Sequence, residues 1–410
     1  MQQPASNFAQ TSSSADDLYD VVVVGGGPSG ATAADDLARS GRRVLLLDKG
    51  GRIKPCGGAI PPRAMKDFNL PESLLKARVQ SARMISPSDI SVDMPIKGGY
   101  VGMVDREDFD EWLRARAEEH GATRITGQYE KIVRDGSPYP IVQYRMGATH
   151  DDIGQVRARL VIGADGALSA VGRQEVPGGD KLRYVFAYHE IIKTPQDDAS
   201  GEAAKRCEIY YRGTLSPDFY AWVFPHGDTM SVGTGSAKKG FSLKGSVLSL
   251  RATIGLDKME TIRREGAPIP MKPLKRWDNG KDVVLAGDAA GVVAPASGEG
   301  IYYAMLGGRL SADAAEAFLA TGNAKSLATA RKRFMKLHGR VFWILGIMQY
   351  FWYSSDKRRE SFVKICKDPD VQRLTWESYM NKELVRQDPM AHIRIFFKDL
   401  GHLLRIAPSS

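Results

Sequence analysis

The chain has 410 residues, a length that suits two or three domains of ordinary size. Hydrophobic residues make up 43% of it and charged residues 26%, which excludes a fibrous, collagen-like or wholly disordered protein. No apolar run approaches the roughly 20 residues that a membrane-spanning helix needs. Three cysteines exclude a disulfide scaffold and favour a reducing compartment, and the seven histidines show no zinc-binding spacing, so we expect no metal site.

Positive charge is concentrated near the C-terminus. Residues 321–410 contain 17 Lys and Arg against 8 Asp and Glu, whereas the first 320 residues contain 40 of each sign. A basic region on a neutral body indicates an anionic partner for that region alone. Because no recognised nucleic-acid-binding motif accompanies it, we expect an anionic membrane surface rather than nucleic acid.

The first elements in chain order predict a βαβ unit. Residues 1–18 are polar and Ser-rich, lack the pattern of a secretory signal and predict a flexible tail. Four consecutive valines at 21–24 predict a strand that is buried on both faces of a parallel sheet. A helix over 28–39 and a second buried strand over 43–48 complete the unit, with a right-handed crossover.

A glycine-rich turn joins the first strand to the helix. Residues 25–30 read GGGPSG and fit G-x-G-x-x-G, and Asp48 ends the following strand. Gly25 and Gly27 would let the backbone approach a pyrophosphate, and Gly30 would let helix and strand pack closely. The helix N-terminus offers free N–H groups to phosphate, and Asp48 could accept hydrogen bonds from a ribose. The pattern therefore predicts a dinucleotide site.

Two later strands end at an aspartate beside glycine. Residues 159–164 predict a buried strand that leads to Asp165, and residues 282–286 predict another that leads to Asp288. A glycine turn at 298–301 then opens a long helix. Three such motifs in this order resemble the FAD-binding superfamily of flavoprotein hydroxylases and their relatives, and the resemblance implies noncovalently bound FAD. Without a second G-x-G-x-x-G unit, a nicotinamide donor would have to dock transiently.

Three further segments narrow the class of flavoprotein. Residues 54–58 read KPCGG, residues 105–110 read DREDFD at the start of a predicted helix over 108–120, and residues 217–225 read PDFYAWVFP. The last of these fits P-x-x-Y-x-W-x-F-P in full, within a region of about 183–235 whose pattern predicts antiparallel strands. Together with the FAD motifs, these segments resemble the geranylgeranyl reductase family.

The resemblance implies a fold and a division of the chain. We expect an α/β chain (α+β overall) with a Rossmann-like FAD-binding domain of the flavoprotein hydroxylase type, an antiparallel-sheet substrate domain and a helical C-terminal region. The predicted parts are a tail (1–18), a discontinuous FAD-binding domain (19–80, 104–175 and 276–325), a substrate domain (81–103 and 176–275) and a basic, aromatic-rich region (326–410).

The motifs and the resemblance together assign candidate site residues. Cofactor contacts are expected at Gly25, Gly27, Ser29, Gly30, Asp48, Gly57, Arg106, Asp165, Asp288, Gly298, Gly300 and Ile301. A wall for an isoprenoid chain is expected at Phe219, Tyr220, Trp222 and Phe224, of which the last three share one face of a strand. Catalytic roles are expected for Cys56, Tyr220 and Trp222, although a small buried thiol is the plainer interpretation of Cys56.

The C-terminal sequence bears on substrate and location. Residues 351–359 and 374–379 resemble the pigment-specific branch of the family, which implies reduction of the geranylgeranyl tail of chlorophyll or bacteriochlorophyll to phytyl, with NADPH as the expected donor and a ferredoxin as the alternative. Residues 341–353 are apolar and lie between basic clusters within 331–359. This pattern favours a segment that lies in an anionic membrane interface; the alternative is a helix packed on the flavin domain. The resemblance implies a cytoplasmic protein that is peripheral on the photosynthetic membrane of a bacterium, with a pigment synthase as a candidate partner.

Three other functions remain open from the sequence. The substrate could be free geranylgeranyl diphosphate or a geranylgeranyl lipid, the protein could be a flavin monooxygenase, or it could bind a prenyl group without catalysis. Products, oxygen dependence and flavin turnover would distinguish them.

Overall fold

The computed structural model describes residues 18–51, 53–147, 152–196 and 201–382. Most of the predicted tail, residues 1–17, and residues 383–410 of the predicted C-terminal region lie outside the described residues. The strands are β1 (Leu18–Val24), β2 (Val44–Asp48), β3 (Ala59–Ile60), β4 (Leu75–Val79), β5 (Ser81–Ile85), β6 (Ser91–Pro95), β7 (Val101–Val104), β8 (Thr123–Thr126), β9 (Gln128–Val133), β10 (Ile141–Met146), β11 (Asp152–Gly163), β12 (Tyr184–Lys193), β13 (Arg206–Tyr210), β14 (Ala221–His226), β15 (Thr229–Ser236), β16 (Thr261–Pro270) and β17 (Val283–Leu285). The helices are α1 (Pro28–Arg39), α2 (Pro62–Asp67), α3 (Arg106–Glu119), α4 (Ala170–Glu175), α5 (Leu243–Thr253), α6 (Ile301–Thr321), α7 (Ala328–Trp352), α8 (Asp356–Ile365) and α9 (Pro369–Asn381).

The first sheet contains the predicted βαβ unit. Its order is β8-β2-β1-β11-β10-β9, and β17 lies beside the end of β11. Strand β1 runs parallel to β2 and β11, and β11 runs parallel to β17, which confirms the predicted parallel core. Helix α1 packs against α3 and α6 on this sheet. The carboxyl ends of β1, β2, β11 and β17 therefore open at one edge, where open α/β sheets bind ligands.

Strand β11 is longer than its sequence predicts. The expected strand was 159–164, but β11 begins at Asp152 because its first half pairs antiparallel with β10. That half alternates buried and partly exposed side chains, whereas only the final residues are buried on both faces. Helix α3 likewise begins two residues before the predicted start, because the Asp105 carboxylate accepts a hydrogen bond from the Glu107 amide and caps it.

The second sheet has the order β16-β12-β15-β14-β13-β5-β6. It is antiparallel except for β13 and β5, which run parallel to each other. Helix α5 covers one face, and the other face packs against aromatic residues of α7, α8 and α9. Strand β7 instead joins β3 and β4 in a three-stranded sheet between the two larger ones.

Helix α7 has two different faces. Phe334, His338 and Phe342 are buried against Tyr303 of α6. Trp343 and Tyr350, by contrast, are 68% and 85% exposed. The apolar stretch 341–353 therefore lies partly in the core, as the alternative of a helix packed on the flavin domain requires, and partly on the surface. None of the helices within the described ranges is long and apolar enough to cross a membrane.

Candidate flavin site

The glycine turn after β1 has the geometry of a phosphate-binding loop. Gly25 has a φ of +105°, and a Cβ there would lie 2.4 Å from the Ala164 carbonyl oxygen, so only glycine fits. A Cβ on Gly30 would lie 1.8 Å from the Gly25 oxygen. At Gly27, in contrast, a Cβ would meet nothing within 4 Å, so the backbone faces open space. The turn therefore presents the N-terminus of α1 to a ligand.

This N-terminus opens into a cleft of about 420 Å³. The cleft lies at the carboxyl edge of the first sheet, between the glycine turn and the 3₁₀ turn Gly287–Ala290. Seven predicted cofactor residues line it: Gly25, Gly27, Ser29, Asp48, Arg106, Asp165 and Asp288. Lys54, Tyr129 and Arg173 line it as well and were not predicted. The other five, Gly30, Gly57, Gly298, Gly300 and Ile301, lie outside this lining set.

The side chain of Asp48 is directed at the glycine turn. Its Oδ1 accepts a hydrogen bond from the Gly26 amide at 3.1 Å, and its Oδ2 lies 3.6 Å from Arg114. The carboxylate is about 29% exposed, which leaves it accessible from the cleft. Its place at the end of β2 suits the expected contact with ribose hydroxyls.

Asp165 lies on the cleft wall, but its carboxylate also has a local structural task. It accepts hydrogen bonds from the Ser169 hydroxyl at 2.5 Å and from the amides of Ala170 at 2.6 Å and Val171 at 3.1 Å. Burial raises the pKa of this carboxyl, and these hydrogen bonds oppose the rise. Asp165 therefore holds the start of α4 against the cleft, and its direct contact with a cofactor stays a prediction.

Asp288 is buried at the end of β17, in the 3₁₀ turn. Its partner is Lys54, whose ammonium forms a short ion pair with Oδ2. Lys54 is 37% exposed and stands on the segment that carries Cys56. The sequence offered no signal for this pairing, because 234 residues separate the two side chains.

The second glycine turn lies between the cleft and the aromatic motif. Gly298 has a φ of +65°, and a Cβ there would come within 3.1 Å of the Phe219 ring and 3.2 Å of the Tyr220 hydroxyl. Gly300 caps α6, and Ile301 begins it and is buried. The turn therefore places the helix N-terminus beside the predicted prenyl wall.

Cys56 lies between the cleft and the second sheet. Arg106 is buried, donates to both oxygens of Asp110 at 2.8 and 2.7 Å, and also contacts the Cys56 thiol. Burial acts to lower the pKa of Arg106, but Asp110 and Cys56 outweigh it and hold that pKa above its ordinary value. A Cβ on Gly57 would lie 2.9 Å from the Phe224 ring. Close approach of the Cys56 segment to the aromatic motif therefore requires glycine.

The four aromatic residues of the motif form one cluster. Tyr220 lies 6.0 Å from Trp222, and Trp222 lies 6.1 Å from Phe224, measured between ring centroids. Phe219 stacks on Tyr220 at 4.2 Å rather than facing away, because β14 begins only at Ala221 and the two rings precede the regular alternation. The Tyr220 hydroxyl donates to the Ser297 carbonyl at 2.5 Å, and burial raises its pKa.

Residues of the C-terminal helices, none of them predicted as a site residue, complete this wall. Trp352, Tyr353 and Cys366 are buried in the same cluster as Tyr220 and Trp222. The Tyr353 hydroxyl donates to the Ala296 carbonyl at 2.9 Å, next to the second glycine turn. Only the folded chain brings these helices to the motif.

The residues present fit FAD. The Ser29 hydroxyl is buried without a hydrogen-bond partner among the described residues, at the N-terminus that the Gly27 backbone leaves open. Two carboxylates at strand ends, Asp48 and Asp288, face the same cleft. An unpartnered donor at a helix N-terminus suits a pyrophosphate, and carboxylates at the strand ends suit the hydroxyls of its sugars. Within the described residues, no group of three His, Cys, Asp or Glu side chains could hold a metal ion.

Comparison with known proteins agrees with this geometry. The family described as "FAD binding domain" matches residues 18–178. A geranylgeranyl diphosphate reductase of Rhodobacter capsulatus is 57% identical over 390 residues, covering 95% of this chain and 98% of the relative. A geranylgeranyl diphosphate reductase of Synechocystis is 38% identical, covering 94% of this chain and 98% of the relative.

A solved structure shares the fold. The geranylgeranyl bacteriochlorophyll reductase-like protein of Thermoplasma acidophilum superposes with a TM-score of 0.78 at 22% identity, over 92% of this chain and 99% of that one. The likeness confirms the expected flavoprotein hydroxylase-type fold, with its α/β architecture and helical C-terminal region. The match to the FAD-binding family, together with the similarity to the geranylgeranyl diphosphate reductases, identifies FAD as the cofactor.

Proposed function

This chain belongs to the geranylgeranyl reductase family of FAD-dependent oxidoreductases, and we propose that it saturates C=C bonds in the geranylgeranyl tail of chlorophyll or bacteriochlorophyll to give phytyl, with NADPH as the donor. One observation carries the proposal: the aromatic motif meets the second glycine turn, where the Tyr220 hydroxyl donates to the Ser297 carbonyl at 2.5 Å and any Cβ on Gly298 would crowd Phe219 and Tyr220. A long apolar tail held by this wall would lie against the flavin-binding edge. The Rhodobacter relative is named for the diphosphate of the same tail.

The residues around this edge suit a reaction that must exclude water. Phe219, Tyr220 and Trp222 are buried, and C-terminal aromatic residues pack in the same cluster. Reduced FAD would supply the hydride to one alkene carbon. An isolated alkene is not polarised by a carbonyl, so the aromatic wall must hold it close to the flavin and exclude water from it.

The second alkene carbon needs a proton, and Cys56 is our candidate for the group that influences its delivery. Its thiol lies beside the buried Arg106 guanidinium and accepts a hydrogen bond from the Gly58 amide at 3.4 Å. Tyr220 is less suited to the proton transfer, because its hydroxyl already donates to the Ser297 carbonyl and burial raises its pKa. We assign Tyr220 and Trp222 to holding the substrate beside the flavin.

One experiment tests the proposal against its rivals. The holoenzyme, NADPH and geranylgeranyl bacteriochlorophyllide are incubated without oxygen, and the pigment mass is followed for successive gains of two hydrogens; geranylgeranyl diphosphate and a geranylgeranyl lipid are assayed in parallel. Gains on the pigment at the highest kcat/KM support the proposal. Faster reduction of the diphosphate or the lipid would reassign the substrate. Activity only with oxygen would indicate a monooxygenase, and tight binding without turnover a binding protein.

We further propose that the exposed face of α7 rests on an anionic membrane. Lys336, Arg340, Trp343 and Ile347 follow at helical spacing and are exposed, and Tyr350 extends the same face. Lysine and arginine beside exposed tryptophan and tyrosine suit a membrane interface. A tail that partitions into lipid would then enter close to its wall. A photosynthetic membrane and a bound pigment synthase are the corresponding partners.

The structure corrects one part of the expected basic surface. Within 331–359, Arg359 is 2% exposed and donates to the Pro217 and Tyr353 carbonyls, so it stabilises the fold rather than facing lipid. Arg331 donates to the Leu274 carbonyl, and Arg333 pairs with Asp313. Fewer cations are therefore available to lipid headgroups than the sequence indicated, because Arg331 and Arg359 donate to backbone carbonyls of the fold and Arg333 pairs with a carboxylate.

Vesicle flotation tests the membrane proposal with a matched control. One variant replaces four exposed cations of this face and its flank with glutamine: Lys336, Arg340, Lys357 and Arg358. The control replaces four exposed lysines elsewhere: Lys238, Lys239, Lys244 and Lys258. Only the first should lose binding to vesicles with anionic lipid at low salt. Equal loss in both, or no binding by the wild type, would exclude the α7 face as the contact.

A further inference from the structure

The indole of Trp222 lies in a row of residues that crosses four strands. Trp222 on β14 is directly opposite Gly233 on β15, Gly233 is opposite His189 on β12, and His189 is opposite Glu265 on β16. Directly opposed residues share a face of the sheet. A Cβ on Gly233 would lie 2.2 Å from the indole Cζ2 and 2.7 Å from the His189 Cβ, so glycine makes room for the ring.

A hydrogen-bonded chain runs along this row. The indole Nε1–H of Trp222 donates to the Ser231 Oγ at 3.1 Å, Ser231 Oγ lies 2.8 Å from Nδ1 of His189, and Nε2 of His189 lies 2.9 Å from Glu265 Oε2. A carboxylate only accepts, so Nε2–H donates to Glu265, and the Ser231 hydroxyl can then donate to Nδ1. Every polar group along the chain has a partner, although Ser231 and His189 are buried.

The Glu265 end of this hydrogen-bonded chain leads to the N-terminus of helix α3. Glu265 Oε1 lies 3.0 Å from the Arg263 guanidinium, which lies 3.4 Å from Asp105. Asp105 caps α3, whose first residue is Arg106 in the cleft. The orientation of the indole is thereby tied to α3, whose Arg106 interacts with Cys56.

We infer that Ser231, His189 and Glu265 are positioning residues that fix the Trp222 indole and so determine which alkene of the tail stands at the flavin. The inference rests on the proposed function for the substrate, while the hydrogen-bonded chain stands on its own geometry. An indole without this anchor keeps its place in the wall but can rotate. The successive C=C bonds of the tail are then no longer held at a fixed position relative to the flavin.

The test compares product distributions and the indole itself. Ser231→Ala removes the acceptor of the indole N–H, His189→Leu removes the next link, and His189→Gln keeps a hydrogen-bonding amide there. The control is Ser246→Ala, which removes another buried hydroxyl; it donates to the Leu215 carbonyl and takes no part in the hydrogen-bonded row of Trp222. Retained FAD absorbance shows that a variant is folded. If Ser231→Ala or His189→Leu does not fold, Glu265→Leu takes its place, because Glu265 is less buried than His189.

We expect Ser231→Ala and His189→Leu to keep FAD, to accumulate partly reduced tails and to lower kcat/KM for the later reductions about tenfold, with His189→Gln closer to the wild type. With ¹⁵N-labelled tryptophan, the Trp222 Nε1–H resonance, assigned by its loss in Trp222→Phe, should shift and exchange faster with solvent in Ser231→Ala but not in Ser246→Ala.

Two results would overturn the inference. The first is a product distribution in Ser231→Ala equal to that of Ser246→Ala, and the second is an unmoved Trp222 resonance. If the wild type reduces no prenyl substrate, the proposed function fails. The Trp222 Nε1–H resonance then still decides whether Ser231, His189 and Glu265 hold the indole.

Discussion

Lys382 and Glu299 form an ion pair with an Nζ–Oε2 distance of 2.6 Å, although both side chains are less than 5% exposed. Glu299 lies inside the second glycine turn, and its other oxygen accepts from the Tyr302 amide at the start of α6. Lys382 follows α9 and lies 3.9 Å from the Tyr379 ring centroid. Burial lowers the pKa of Lys382, and Glu299 opposes that change. The pair thus joins the described C-terminal end to the flavin-binding edge.

Removing one partner should cost more than removing both. Glu299→Gln leaves an ammonium buried without its counter-ion, for which we expect a loss of about 3–5 kcal/mol in unfolding free energy. Glu299→Gln with Lys382→Met should recover much of it. Denaturant unfolding measures both, and Asp313→Asn, which breaks an exposed pair with Arg333, serves as the control at about 1 kcal/mol or less. Equal losses for Glu299→Gln and Asp313→Asn would contradict a buried pair.

Asp288→Ala should weaken FAD binding. The carboxylate is buried in the cleft, and a hydrogen bond to a charged group contributes about 1.5–3 kcal/mol, so flavin affinity should fall at least about tenfold. Flavin absorbance after purification and fluorescence titration of the apoprotein measure it. Asp313→Ala on α6 should keep full occupancy. Full occupancy in Asp288→Ala as well would remove Asp288 from the cofactor contacts.

Cys56→Ser should retain FAD and slow the alkene step. The thiol contacts Arg106, and if it influences protonation the single-turnover rate should fall on the order of 100-fold. The measurement is flavin reoxidation by the prenyl substrate without oxygen. Cys207→Ala, at a buried cysteine on β13, controls for packing. An unchanged rate in Cys56→Ser would leave Cys56 as a small buried thiol.

Trp222→Ala should separate flavin binding from substrate reduction. The indole belongs to the wall and not to the cleft lining, so FAD occupancy should stay normal while tail reduction falls at least about tenfold. Trp343→Ala, at an exposed tryptophan, should match the wild type when both are assayed in detergent. Normal rates for every alkene in Trp222→Ala would exclude the ring from the substrate wall.

His338 should make the fold sensitive to acid. Burial, with smaller effects of Lys382 and Arg63, lowers its pKa to about 4, and its Nδ1 has no hydrogen-bond partner among the described residues. The unfolded chain therefore takes up the proton first, and stability present above about pH 6.5 is lost as the pH falls toward 4. At pH 5 the loss is about 2 kcal/mol. Thermal unfolding at pH 7 and pH 5 should show a smaller difference for His338→Phe than for the wild type; an equal difference would contradict it.

Local sequence determined the elements around the cofactor. The buried valines, the glycines of the first turn and Asp48 predict a βαβ unit because each acts through its own backbone or its immediate neighbours. The structure places helix α1 over the predicted residues and Asp48 against the glycine turn. The Trp222 and Phe224 alternation likewise follows from the two-residue period of a strand. Tyr220 and Phe219 both precede β14, and Phe219 stacks on Tyr220 instead of facing away from it.

Tertiary structure alone decided which side chains meet across the chain. Asp165 has the same sequence signature as Asp288, yet one carboxylate holds α4 and the other pairs with Lys54. Arg359 stands in a basic run but is buried, and His189 reaches Trp222 only through the register of three strands. Apart from the local contacts of Asp165, these contacts join residues tens to hundreds of positions apart. Strand register and helix packing bring them together, because both are set by the burial of the whole core rather than by any local pattern.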